Sequence, residues 1–266
     1  MEPLVSPIAV FDAGIGSYAI VDLIHRRLPR QDIVYLADRA SFPYGGKDRV
    51  TLLETMRRTI GFLEQYSPSM IVIASNAPSI MVLDALNDMT TVPLRGIRPP
   101  LAEALRLSAT GRVGIMAVRS LIESPLLTAF VHRWASDPAH VACIDASTIV
   151  ELVESGRFLF DPVATQRKVD ELVGGLRRDH PAVDVITLSS THLPWLRPFL
   201  ERAAPKVSFI DPAEAMVASL GRGSQGTGRI LGVVTETPDY PLATFRRMLE
   251  AVGVDIPIEP TKILKG

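Results

Sequence analysis

Four short segments carry residue types that could do chemistry. Asp12-Ala13-Gly14-Ile15-Gly16-Ser17 lies between a β-rich run and a helical pattern. Its glycines permit a tight turn with backbone close to a ligand, and a helix start favours an anion. A dinucleotide fingerprint needs a third glycine, which is missing; a turn with no further role is the alternative. Asp38 to Lys47 contains Pro43-Tyr44-Gly45-Gly46, a turn with an aromatic at its tip, which reads as a loop or as a site. Ser75-Asn76-Ala77-Pro78-Ser79 and Ser189-Ser190-Thr191-His192 each follow an apolar run. Hydroxyls, an amide and an imidazole there could grip a carboxylate or an amine, and they also cap helices commonly. His192 suits acid–base work near neutral pH. It stands only two residues from Ser190, with no evident orienting acid or oxyanion hole, so a serine hydrolase is disfavoured.

The elements that must position these residues alternate along the chain. Strand candidates are Ile8–Asp12, Asp32–Asp38, Met70–Ser75, Pro93–Ile97, Arg112–Val118, Val183–Leu188, Val207–Ile210 and Arg229–Val234. They show little alternation of apolar and polar residues, as parallel strands covered on both faces do. Helical stripes lie between them: Ile20, Val21, Ile24 and Leu28 within Tyr18–Leu28, and Val169, Leu172, Val173 and Leu176 within Gln166–Arg178. Strand–helix repetition predicts a parallel α/β sheet with right-handed crossovers. MIVIASNAPS (70–79) and VDVITLSSTHLP (183–194) share a plan of buried strand, small polar residues and proline. That echo suggests two lobes with a ligand at the strands' carboxyl ends. The glycine-rich stretch Gly221–Gly228 reads as a flexible loop.

Bulk composition narrows the function classes. The 266 residues carry a net charge of −1 with charges interspersed, which offers nothing for capture of nucleic acid or membrane. No apolar run approaches the roughly 20 residues of a membrane helix, and Met1–Val10 lacks the basic start of a secretion signal. Cys143 is the single cysteine, which excludes a disulfide framework and argues against a cysteine metal site. A cytosolic protein is the simplest expectation.

In order along the chain, IAVFDAGIGS (8–17), RRLPRQDIVYLADRASFPYGGK (26–47), MIVIASNAPS (70–79), GRVGIMAV (111–118), ELVESG (151–156), DVITLSSTHLP (184–194), FIDPAEA (209–215) and VVTETPDYPLATF (233–245) resemble the glutamate racemase family. The resemblance implies two similar parallel-sheet α/β lobes with the ligand cleft between them. The first lobe would comprise residues 1–97 plus 207–266 and the second 98–206. It also implies cofactor-independent racemisation of an acidic amino acid, one cysteine removing the α-proton and a second delivering one from the opposite face. Thiols suit that work because their reference pKa, near ~8.5, lets a neighbouring group make thiolate available around neutrality.

The departures are as informative as the matches. By the resemblance, the two proton-carrying cysteines fall on Ser75 and Ser190, while Cys143 matches another family cysteine. Hydroxyls expected around the ligand fall on Ala13, Ala77, Val118 and Leu121, and an expected acid is replaced within Arg98-Pro99-Pro100. Asp12, Glu154 and His192, which would assist the thiols, are present. So are Pro43, Tyr44, Gly45, Asn76 and Thr191, which would hold a substrate. An engineered cysteine-to-serine pair would not change the hydroxyl set as well, so natural divergence is the favoured reading. Arg95, Arg98 and Arg119 are cations near strand ends; facing inward they could hold an anion, facing outward they are surface residues. Two functions compete. One is a protein that binds a small acidic metabolite or amino acid without two-cysteine chemistry. The other is a cofactor-independent racemase, isomerase or decarboxylase using Asp12, Glu154 and His192. Residual racemisation without thiols ranks below both, and a structural partner with a vestigial cleft is weakened by the retained polar residues. The resemblance allows a homodimer.

Overall fold

The computed structural model describes residues 3–221, 223 and 226–263. Ten strands lie among the described residues: β1 (Ile8–Asp12), β2 (Ile33–Asp38), β3 (Met70–Ile73), β4 (Leu94–Gly96), β5 (Val113–Ala117), β6 (Val141–Asp145), β7 (Val185–Leu188), β8 (Ser208–Ile210), β9 (Ile230–Thr235) and β10 (Ile258–Pro260). They form two sheets, of order β10-β9-β2-β1-β3-β4 and β6-β5-β7-β8. Every strand pair is parallel. The expected pair of parallel-sheet α/β lobes is what the chain forms.

The first unit comprises Met1–Ile97 and Ala213–Gly266, the second Arg98–Pro212. The segment 207–212, expected with the first lobe, belongs to the second. Its strand β8 pairs with β7 in register Val185↔Ser208, so three ladder positions tie it to the second sheet. Two edge strands, β6 and β10, were not anticipated. The β6 pattern alternates between buried and open positions because only one flank of an edge strand is covered, and β10 ends on Glu259 and Pro260. Six of the eight expected strands are shortened by one or two residues, β1 keeps its expected bounds and β9 is displaced by one residue; Ser75 lies beyond β3 rather than in it.

The central strands are apolar because both faces are covered: all five residues of β1, all six of β2 and all five of β5 are buried. On the helix Tyr18–Arg27, Ile20, Val21 and Ile24 are buried and Leu28 is half-buried. On Pro162–Asp179, Val169, Val173 and Leu176 are buried and Leu172 is half-buried. Of the expected flexible loop, positions 222, 224 and 225 lie outside the described residues, as do Met1 and Glu2 at the start of the chain. The loop's far end is anchored: the buried Asp32 accepts hydrogen bonds from the Thr227 and Arg229 amides at 2.9 and 3.0 Å, and from Val5 at 2.8 Å.

The two sheets share a plan. In chain order the second unit runs 2-1-3-4 (β6-β5-β7-β8), and the first contains the same 2-1-3-4 run (β2-β1-β3-β4), extended by β9 and β10. In each, the chain leaves the first strand to one side and returns to pair on the other. That reversal opens a crevice at the carboxyl ends of β1 and β3, and of β5 and β7.

Candidate functional site

The crevice of the first unit collects most of the expected residues. Asp12 ends β1 and is 1% exposed; its Oδ1 accepts the Ala13 amide at 2.7 Å. Ala13 is buried beside it. The turn behind is held by the Gly14 carbonyl, which accepts from the Tyr35 hydroxyl at 3.0 Å. Beyond β3, Ala74 donates its amide to the Phe11 carbonyl at 2.8 Å, which brings Ser75 and Asn76 alongside Asp12 and Ala13.

Capping was the alternative reading of Ser75, and the geometry does not support it. Ser75 stands in extended conformation at the N-cap of Asn76–Met81, yet its side chain makes no cap bond. Its carbonyl instead receives the Ser79 hydroxyl at 2.6 Å. Asn76 is 2% exposed, and neither its Nδ2 nor its Oδ1 has a hydrogen-bond partner. Leaving a buried amide unpaired costs about 1–3 kcal/mol for each group, so such a residue asks for a function. Ala77 is buried next to it.

The Pro-Tyr-Gly turn approaches from β2. The Phe42–Pro43 bond is cis; Pro43 is exposed, Gly45 half-buried, and Tyr44 only 2% exposed. The Tyr44 hydroxyl points back into the protein and donates to Asp38 Oδ2 at 3.1 Å, while Thr235 donates to Asp38 Oδ1 at 2.8 Å. Burial, followed by the nearby Asp38 and Asp12 carboxylates, pushes the Tyr44 phenol well above its ordinary range, so it is neutral. Asp38 and Thr235 were not among the expected site residues. The sequence did carry a signal for Asp38, since it ends β2 as Asp12 ends β1.

In the second unit, Ser190, Thr191 and His192 follow β7 and are all buried. The Ser189 hydroxyl is taken by Thr187 at 2.8 Å. His192 precedes the short helix Leu193–Leu196 without capping it. Its Nε2 lies 3.3 Å from Glu154 Oε2, and both side chains are buried, at 5% and 0% exposure. Glu154 closes the helix Ser147–Glu154, whose apolar face sets it facing inward with Val150 and Val153. The structure thus joins two expected residues that stand far apart in sequence.

Arg119 takes another course. Its Nε donates to Asp145 Oδ2 at 2.8 Å, and its side chain is 67% exposed. It spans from the end of β5 to the edge strand β6, as a surface ion pair. Arg95 donates to its neighbour's carbonyl, Leu94, at 3.0 Å and is exposed, as is Arg98. Cys143 is an exposed residue of β6. Among the described residues no group of His, Cys, Asp and Glu could hold a metal ion.

Residues 18–220 match the Asp/Glu/Hydantoin racemase family. The glutamate racemase of Desulforudis audaxviator is 35% identical over 212 residues, covering 79% of this chain and 76% of the relative. That of Granulibacter bethesdensis is 33% identical over 223 residues, covering 81% and 77%. The crystal structure of Thermus thermophilus glutamate racemase in complex with β-chloro-D-alanine superposes with a TM-score of 0.79 at 26% identity, covering 97% of each chain. A Bacillus anthracis glutamate racemase structure gives 0.85 at 22% identity, covering 97% of this chain and 98% of that one, which speaks for the fold.

Proposed function

Because the chain belongs to the Asp/Glu/hydantoin racemase family, we propose that it binds a small acidic metabolite or amino acid at the carboxyl ends of its parallel strands, without two-cysteine racemase chemistry. The observation that carries this reading is the buried, unpartnered amide of Asn76 at the β1/β3 crevice, beside Ser75 and Asp12. An amide presents a donor and an acceptor together, which suits an amino acid's carboxylate and ammonium. Ser75 and Ser190 follow topologically equivalent strands, at the positions where the family resemblance puts the two proton carriers, and both are hydroxyls. A serine hydroxyl cannot take an α-proton at neutral pH without much stronger help than a thiol needs.

A second reading is favoured by the His192–Glu154 contact. A buried imidazole oriented by a carboxylate is an acid–base unit, and with Asp12 it would support isomerisation or decarboxylation without thiols or cofactor.

Proton NMR of L- and D-glutamate and L- and D-aspartate in D₂O separates the two. The expected result is that every α-proton signal persists, while calorimetry finds an acidic ligand whose binding is weakened about tenfold or more in Asn76→Ala. Loss of an α-proton signal with the wild type but not with Asp12→Ala would mean that a non-thiol base operates and would overturn the first reading. Unchanged turnover of any identified substrate in both His192→Ala and Asp12→Ala would end the second.

A further inference from the structure

A second cavity lies in the first unit, where β2 and β9 end. It holds about 340 Å³, within the range of small-molecule sites. Its walls come from the ends of those strands, from the helix Arg49–Glu64 and from Thr261–Ile263. Asp38 separates it from Tyr44: one carboxylate oxygen receives the tyrosine hydroxyl and the other Thr235.

The charges around the cavity are unevenly engaged. Its two acids are already bonded within the protein, Asp38 as just described and Glu236 by the Leu242 amide at 2.8 Å. Its cations are Arg58 and Lys262. The Glu54 carboxylate is held by Arg57 through contacts of 2.8 and 3.0 Å and lies 3.9 Å from Arg58 Nε, which donates to the Glu54 backbone carbonyl at 3.4 Å. Lys47 adds a third cation nearby. Burial holds its ammonium below the usual range; Asp38 opposes that and Arg58 adds to it, so the three groups lie within electrostatic reach.

We propose that the cavity bounded by Ser41, Arg58, Thr235, Lys262 and Ile263 is a second binding site, taking a small polyanion that bears phosphate or carboxylate groups. The Thr55, Thr59 and Thr235 hydroxyl protons are donated to Thr51, Thr55 and Asp38. Donors for an anion therefore come from the Arg58 guanidinium, the Lys262 ammonium and the Ser41 and Thr261 hydroxyls. Such a ligand would rest against the carboxylate that fixes Tyr44, a direct physical link between this site and the β1/β3 crevice.

The test is thermal unfolding of the full chain at constant ionic strength, sodium chloride being replaced stepwise by potassium phosphate or by sodium malonate. A saturable rise of the midpoint is expected with at least one of the two, and the tighter one identifies the group recognised. The apparent Kd should weaken about tenfold in Arg58→Gln/Lys262→Gln and stay unchanged in Asn76→Ala. No saturable rise with either anion would overturn the proposal. So would an equal rise in the double variant, or loss of the rise in Asn76→Ala, which would place the anion in the crevice. Mass-spectrometric acetylation of the wild type supplies a second readout: the effective anion should protect Lys262, and equal labelling of it with and without the anion would also overturn the proposal. The Asn76 arm separates failure here from failure of the amino-acid reading.

Discussion

At the residue scale the proposed reading turns on Ser75 and Ser190. Each follows a strand that pairs beside the first strand of its sheet, and Ser75, its hydroxyl unspent on capping, adjoins an amide with no partner. On the proposed reading, restoring both thiols restores the missing acid–base groups. Ser75→Cys/Ser190→Cys is expected to interconvert L- and D-glutamate measurably, with exchange of the α-proton in D₂O, while each single variant shows no interconversion above the wild-type level, because racemisation needs a carrier on both faces. Adding Ala77→Thr should lower KM more than it raises kcat, since a hydroxyl there holds ground state and transition state alike. A folded double variant with no exchange would mean that these serines do not occupy the carriers' places. Asn76, Tyr44 and Glu154 were all named from the chain. Their unequal situations come from packing: Tyr44 is turned to Asp38, Asn76 is left unpaired, and Glu154 is brought to His192 across 38 residues.

At the element scale the turns decide where strands end and hence where side chains emerge. Gly228 leads into β9 with φ +76°, and a Cβ there would stand 2.2 Å from the Pro29 carbonyl oxygen. Gly111, before β5, has φ +71° with open space around it. Gly111→Ala should therefore cost only the left-handed penalty, about 1–2 kcal/mol. Gly228→Ala should cost clearly more, because backbone must move as well. Urea unfolding of the two variants checks the difference, and equal losses would show that the contact at Pro29 relaxes freely. Gly228 was visible in the sequence as part of a glycine-rich loop, but only the packed neighbour separates it from Gly111. The edge strands β6 and β10 escaped sequence reading for a related reason. Covered on one flank only, they lack the continuous apolar run that marks a central parallel strand.

At the scale of the whole molecule, each unit fastens its loops to one carboxylate. In the second unit, Asp184 accepts from the Ala109 and Thr110 amides at 2.8 and 3.1 Å and from the Ser108 hydroxyl. Burial alone would raise its pKa, but these hydrogen bonds more than offset that and hold it below the ordinary value of 3.8. Asp32 plays the same part in the first unit, its hydrogen bonds likewise outweighing burial. A depressed folded-state pKa stabilises the fold above the unfolded value, and the contribution fades as pH falls through the folded one. The wild type is therefore expected to exceed Asp184→Asn in stability at neutral pH, and the gap should close below about pH 4 as the carboxylate protonates. Urea midpoints measured from pH 7 down to about pH 2 test this; a gap independent of pH would assign the effect to packing.

The sequence by itself determined the two-lobed parallel α/β fold and the family, and it puts serine at positions 75 and 190. These follow from apolar runs, turn residues and residue identity, which are local properties. Only the tertiary structure decided which groups meet: His192 with Glu154, Tyr44 with Asp38, Arg119 with Asp145, and β8 with the second sheet rather than the first. Those contacts join residues distant in sequence. Their free energy depends on burial and on competing partners, and both exist only once the chain has packed.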